Sequence, residues 1–217
     1  MIGEIDDAIR ALVREADGIS SDIDVALDAP TKDWAARRNA PTVDLFLYDI
    51  REDTKRRESG FFEQRNERGI VTHRTPAPRY FKLSYLVSAW TQRPDDEHRL
   101  LDALLRCFLR FDAIPDSLVI TTLAETGLPC SLNVAQPPPE DRAFADVWSS
   151  LGGELKPSLD VVITAPMTRG LSYPAGPPVT EGVDGRFIAE TLDIDEHVIR
   201  IATAAARSDH DSDAAED

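Results

Sequence analysis

The sequence predicts one α/β (α+β) domain, a mixed β-sheet flanked by helices, with a C-terminal extended arm. Three observations predict it. Helical and strand-like hydrophobic periodicities alternate along residues 1–170. A chain of 217 residues with 42% hydrophobic and 29% charged residues holds enough apolar material for a sizeable core without disulfide staples. Beyond residue 170 the periodicity fades into Gly/Pro turns, and the last ten residues, SDHDSDAAED, carry five acids and no Lys or Arg. The expected organisation is a domain over 1–170, an arm over 171–207 and a disordered acidic tail over 208–217.

The elements follow in order. Residues 2–17 read as an amphipathic helix, with Ile2, Ile5, Ile9, Leu12, Val13 and Ala16 on one face. A polar connection with Pro30, Trp34 and Pro41 leads to a strand over 43–50, whose Val43, Leu45 and Leu47 face one way and Phe46 and Tyr48 the other. Residues 51–78 hold seven Lys/Arg against five Asp/Glu, net positive inside a net negative chain, and are too long for an ordinary connection. A hairpin around Gly60 or Gly69 fits there. Residues 79–91 alternate as a strand, with Phe81, Leu83, Tyr85, Val87 and Ala89 on one side. Pro94 opens a helix with Asp95 or Asp96 as expected N-cap, and Leu101, Leu104, Leu105 and Phe108 make it the central core helix. Residues 117–124, SLVITTLA, read as a third strand. A Pro run at 137–139 precedes a short helix over 140–151 with Phe144, Val147, Trp148 and Leu151 as its buried stripe. Residues 158–166 read as a fourth strand.

Charge and motifs exclude several classes. The net charge is −15, so a nucleic-acid binder or a peripheral anchor on anionic lipid is not expected. No apolar run approaches a membrane span, and the acidic start lacks the features of a signal peptide, so a cytoplasmic protein is expected. Cys107 and Cys130 have no CxxC partner and read as buried thiols. There is no P-loop, no GxGxxG after a strand and no His/Cys spacing for a metal, so no cofactor is expected. His98 lies near Asp95 and Asp102, either as a His–Asp pair or as a surface histidine beside acids. No Ser or Cys nucleophile sits in a motif nearby. Trp34, Trp90 and Trp148 can line a sugar site, although the spacing of Trp148 reads as core. No catalytic residues are assigned.

Four segments in a fixed order carry a resemblance. They are MIGEIDDAIRALV, TVDLFLYDI, FKLSYLVSAWTQRPDDEHRLLDALLRCF and AFADVWSSLGGELKPSLDVVITAPM, spanning roughly residues 2–170. Together they resemble the cap, or tail-terminator, proteins of phage-tail-like contractile injection systems. The resemblance implies a tail-terminator-like fold and a structural, non-enzymatic role. Such caps form a six-fold ring on the end of tube and sheath distal to the baseplate and stop polymerisation. The implied partners are further copies of the chain, sheath subunits and inner-tube subunits, with no nucleic acid and no membrane.

Two surfaces are candidates for those contacts. In the loop over 51–74, Arg56, Arg57, Arg65 and Arg68 can meet an acidic neighbour, with Phe61 and Phe62 as apolar anchors. The alternative is a solvated charged loop. In the arm over 179–205, the stretch GRFIAETLDI, with Phe187 and Ile188, can exchange as a strand or lie as an edge strand of the same domain. Competing functional readings are a small-molecule α/β hydrolase near His98 and a monomeric adaptor that docks through its acidic tail.

Overall fold

The computed structural model describes residues 1–137 and 144–176. The expected arm residues from 177 onward, the acidic tail, Pro138, Pro139 and the Phe144 side chain lie outside the described residues. Helix α1 (Ile2–Arg14) buries Ile5, Ile9, Leu12 and Val13. Strand β1 (Asp24–Ala26) and the short helix α2 (Lys32–Ala36) come next, neither foreseen as such. Strand β2 (Thr42–Glu52) leads into a hairpin of β3 (Phe61–Arg65) and β4 (Val71–Pro76). Then come β5 (Arg79–Trp90) and α3 (Pro94–Phe108). The chain continues through α4 (Thr121–Ala124), β6 (Ser131–Val134), α5 (Phe144–Ser150), β7 (Ser158–Met167) and β8 (Tyr173–Pro174).

The main sheet has the order β1-β2-β5-β7-β6. The pair β1–β2 is parallel and the other pairs are antiparallel, so the expected mixed sheet is observed. The parallel pair requires a crossover, which residues 27–41 with α2 supply. Period-two alternation decides which side each residue takes. Val43, Leu45, Leu83, Tyr85, Val87, Ala89, Val161 and Ile163 are buried in one core with the apolar stripes of α1 and α3. The Cys107 thiol donates to the Leu12 carbonyl at 3.3 Å, tying the two helices together. Arg110 reaches Asp17 at 2.5 Å and the Tyr85 hydroxyl donates to Asp6 at 2.7 Å.

The other face is more polar. Asp44 and Ser88 are opposite each other in β2 and β5, and Asp160 accepts from the Tyr48 hydroxyl at 3.0 Å. A register shift between Leu47 and Asp49 leaves Tyr48 as an extra residue in β2. Trp148 of α5 is only 1% exposed, as its helical spacing predicts.

Two expectations are corrected. Residues 117–124 form no strand: a 3-10 turn at Asp116–Leu118 and α4 occupy that stretch. The β-branched run misleads because Glu4 captures the backbone instead. Its carboxylate accepts from Thr122 Oγ1 at 2.5 Å, from the Leu123 amide at 3.2 Å and from the N-terminal ammonium at 3.1 Å. Burial alone raises the Glu4 pKa, but those hydrogen bonds outweigh it and bring the carboxyl down to about 2. Thr121 is held at φ 50°, the left-handed region that β-branched residues avoid. The strand that lies between α3 and α5 is β6, with Leu132 and Val134 buried. The second correction concerns α3. Its N-cap is Arg93 without a side-chain bond, not Asp95 or Asp96, and Pro94 takes the first helical position. Glu97 reaches back to accept from the Thr91 amide at 3.1 Å.

Candidate interaction surfaces

The stretch 51–78 is a hairpin on a pinned root. Gly69, at φ 73°, makes its turn, and Asn66 Oδ1 accepts from the amides of Arg68 and Ile70, both at 3.0 Å. Strand β8 adds to the far side of β4, giving a second sheet in the order β3-β4-β8. Every residue of β3 is exposed. Phe61 is 56% exposed, Phe62 49% and Tyr173 48%. Phe61 and Tyr173 meet edge to face with centroids 5.9 Å apart. Alternation places Phe61, Glu63 and Arg65 on one side of β3 and Phe62 and Gln64 on the other. Exposed aromatic pairs ringed by charge mark contact surfaces.

The expected contact arginines divide into two groups. Arg56 lies over the Tyr80 ring, 3.7 Å from its centroid. Arg57 donates twice to Glu52, at 2.9 and 2.5 Å, and holds that carboxyl below its usual range. Arg79 approaches Glu52 at 3.6 Å, and Lys82 approaches Asp53 at 3.6 Å. Arg56 and Arg57 therefore fix the hairpin root to the main sheet. Arg65 bonds Glu63 at 2.6 Å and the Gly69 carbonyl at 2.9 Å, near the tip. Arg68 is exposed in the turn itself. Phe187 and Ile188 lie outside the described residues.

The tryptophans form a cluster where α2 and α5 meet the polar face. Trp34 and Trp90 meet edge to face at 5.3 Å, and Trp90 and Trp148 are 6.2 Å apart. Trp34 Nε1 donates to Asp28 at 2.8 Å, and Arg38 donates to the same carboxylate at 2.8 Å while stacking on Trp34 at 4.3 Å. A cleft of about 590 Å³ opens beside them, lined by Arg38, Trp90, Arg93, Asp96 and Arg99 among others. Trp34 and Trp148 are buried, and Trp90 is the indole that lines this cleft.

His98 is exposed on the first turn of α3 and is not part of that cleft's lining. Asp102 accepts from Arg106 at 2.9 Å instead of serving a histidine. Among the described residues no group of three or more His, Cys, Asp or Glu is placed to hold a metal, and no helix is long and apolar enough to cross a membrane.

The profile of the Pvc16 N-terminal domain family matches residues 4–181. The chain belongs to this family. Two solved structures share the Pvc16 N-terminal domain fold with it. One is the PVC sheath/tube terminator, in the extended state, of an extracellular contractile injection system. It has a TM-score of 0.64 and 21% identity over 89% of this chain and 65% of that chain. The other is the anti-feeding prophage cap, described as its tube-terminating cap. It has a TM-score of 0.53 and 17% identity over 87% of this chain and 60% of that chain. Their similarity establishes the fold, and the chain spans less than two thirds of either protein. No curated protein matches the chain. The family match runs past β8, so the start of the expected arm belongs to the matched domain.

Sequence reasoning missed two structural features of this Pvc16 N-terminal domain. One is β8, only two residues long, which places Tyr173 against Phe61. Its only signal was a tyrosine among Gly/Pro turns. The other is the internal use of Arg56 and Arg57. Glu52, five residues before Arg57, was a readable partner on sequence spacing alone.

Proposed function

We propose that this chain is a structural cap. Copies of it form a six-fold ring on the end of a contractile injection system's tube and sheath distal to the baseplate, and the ring stops polymerisation. Membership of the Pvc16 N-terminal domain family carries the reading. The fold shared with a sheath/tube terminator and a tube-terminating cap supports it. A ring of identical copies needs a head-to-tail contact between unlike surfaces that closes on itself. The basic, aromatic hairpin on a chain of net charge −15 is one half of such a contact. Its partners on this reading are its own copies, sheath subunits and inner-tube subunits. Assembly takes place in the cytoplasm and involves no catalysis.

The test is deletion of the coding region in its host, followed by tail-length distributions of purified particles in negative stain. Absent or length-heterogeneous tails that return to normal on complementation are expected. Tails of normal, uniform length without the protein would remove the cap role.

A further inference from the structure

The small sheet has two edges, and they differ. In β8 the Ala175 amide donates to the Thr72 carbonyl at 2.8 Å, so residues 173 and 175 point their backbone groups toward β4. Position 174 points away, and it is Pro174, which has no N–H. That edge is blunted against pairing. The β3 edge is open. The Gly60 carbonyl accepts from Ala77 at 3.1 Å and the Asn66 amide donates to Ile70 at 2.9 Å, so even-numbered positions face β4. Phe61, Glu63 and Arg65 therefore turn three amides and three carbonyls outward, with no proline among them. No described strand lies beside them. A bare edge of this kind is a template for another strand.

Side chains select the occupant. Two β3 edges paired about a two-fold yield a dimer instead of a ring, and the register that pairs all five residues sets Glu63 against Glu63. The sequence Asp184-Gly185-Arg186-Phe187-Ile188, run antiparallel, complements β3 at four of its five positions and sets a glycine opposite Gln64. Phe61 meets Ile188, Phe62 meets Phe187, Glu63 meets Arg186, Gln64 meets Gly185 and Arg65 meets Asp184. A slip of two residues in either direction sets Glu63 against Asp184 or Arg65 against Arg186. The parallel register that keeps Phe61 with Ile188 sets Glu63 against Glu190. Of these registers, one alone sets apolar against apolar on both faces and acid against base on the face of Phe61, Glu63 and Arg65.

We propose that residues 184–188 of a neighbouring copy add to the open edge of β3 as an antiparallel strand, in the register Phe61–Ile188, Glu63–Arg186 and Arg65–Asp184. The inference rests on the ring reading and deepens it. Each copy then carries one edge and one segment, the two unlike halves that a closing head-to-tail contact requires.

Gln64 and Gly185 form a non-hydrogen-bonded pair in this register, where Cα atoms approach closely enough for a disulfide. Full-length Gln64→Cys and Gly185→Cys variants are co-produced in the host lacking the native gene, and the purified particles are mildly oxidised. Cys107 and Cys130 are buried and stay out of the reaction. A cross-linked dimer of the two variants is expected, and a chain carrying both cysteines is expected to give a ladder of multimers. Glu63→Arg lowers the cross-link yield about fivefold, and adding Arg186→Glu restores it. An intrachain disulfide in the double-cysteine chain, or no rescue by the charge swap, overturns the exchange. Tail length on the same particles keeps the two readings apart: capped tails of normal length without a cross-link overturn the strand contact alone.

Discussion

Asp44 is the residue whose placement works against stability. It sits on β2 with no exposure, and neither carboxylate oxygen has a well-formed hydrogen bond. Burial pushes its pKa up to about 8, the charge of Asp28 adds to the rise, and Arg38 offsets only part of it. An unfolded aspartate titrates near ~4. Between those values the native chain holds a proton that the unfolded chain has released. Stability from this site is therefore greatest below pH ~4, falls as pH rises toward ~8, and is flat beyond. Asp44→Asn keeps the shape and removes the titration. Thermal melts of both proteins from pH 5 to pH 8 should diverge, the variant gaining about 5 °C or more on the native chain across that range. Parallel curves would mean that Asp44 is ionised and solvated in the folded protein. The same polar corner was illegible in the sequence: Phe46 and Tyr48 pointed to cover on that side of the strand, but nothing marked Asp44 as buried beneath it. Only the arrival of α2, with Trp34 bonded to Asp28, closes it off.

At the scale of elements, legibility followed the length of the periodic signal. Helices α1 and α3 and strands β2, β5 and β7 each carry enough alternating residues to fix type and buried face, although Leu101 and Leu105 of α3 are only half-buried and Ile2 of α1 is exposed. Strands β1, β6 and β8 are two to four residues long and exist because a longer neighbour offers an edge. The error at 117–124 has the opposite cause. A strong local β propensity yields to a tertiary carboxylate, Glu4, from the other end of the domain. The hairpin was legible as a charged segment with a turn at Gly60 or Gly69, but not as a pinned root and a free edge.

Core and hairpin should then separate in experiment. Leu104→Ala removes a fully buried side chain from α3 and should cost about 2–5 kcal/mol, lowering the melting temperature by roughly 5–15 °C. Phe61→Ser with Phe62→Ser touches only exposed side chains and should cost under about 1 kcal/mol, yet leave tails uncapped. Calorimetry and tail-length counts on the same two proteins check this. A hairpin variant that melts as early as Leu104→Ala would make the hairpin part of the fold's support instead of a contact.

For the whole molecule, the contrast is between charge and connectivity. A net charge of −15 on every copy sets identical subunits against one another, and the last ten residues contribute five of the 39 acids. If the chain works as an adaptor, that tail is its docking element and its removal abolishes function. If the chain works as a ring, the tail is dispensable for capping, and its loss lowers the net charge of each copy from −15 to −10 and weakens repulsion between neighbours. On the proposed strand contact, a truncation preserves the ring only if it keeps residues 184–188. A chain ending at residue 207 should therefore restore tails of normal length to the deletion host, and a chain ending at residue 181 should not. Length distributions for the two truncations, with expression matched by immunoblot, give the decision. Failure of the longer truncation would return the function to the acidic tail. Success of the shorter one would place the closing contact within residues 1–181 and remove the segment 184–188 from it.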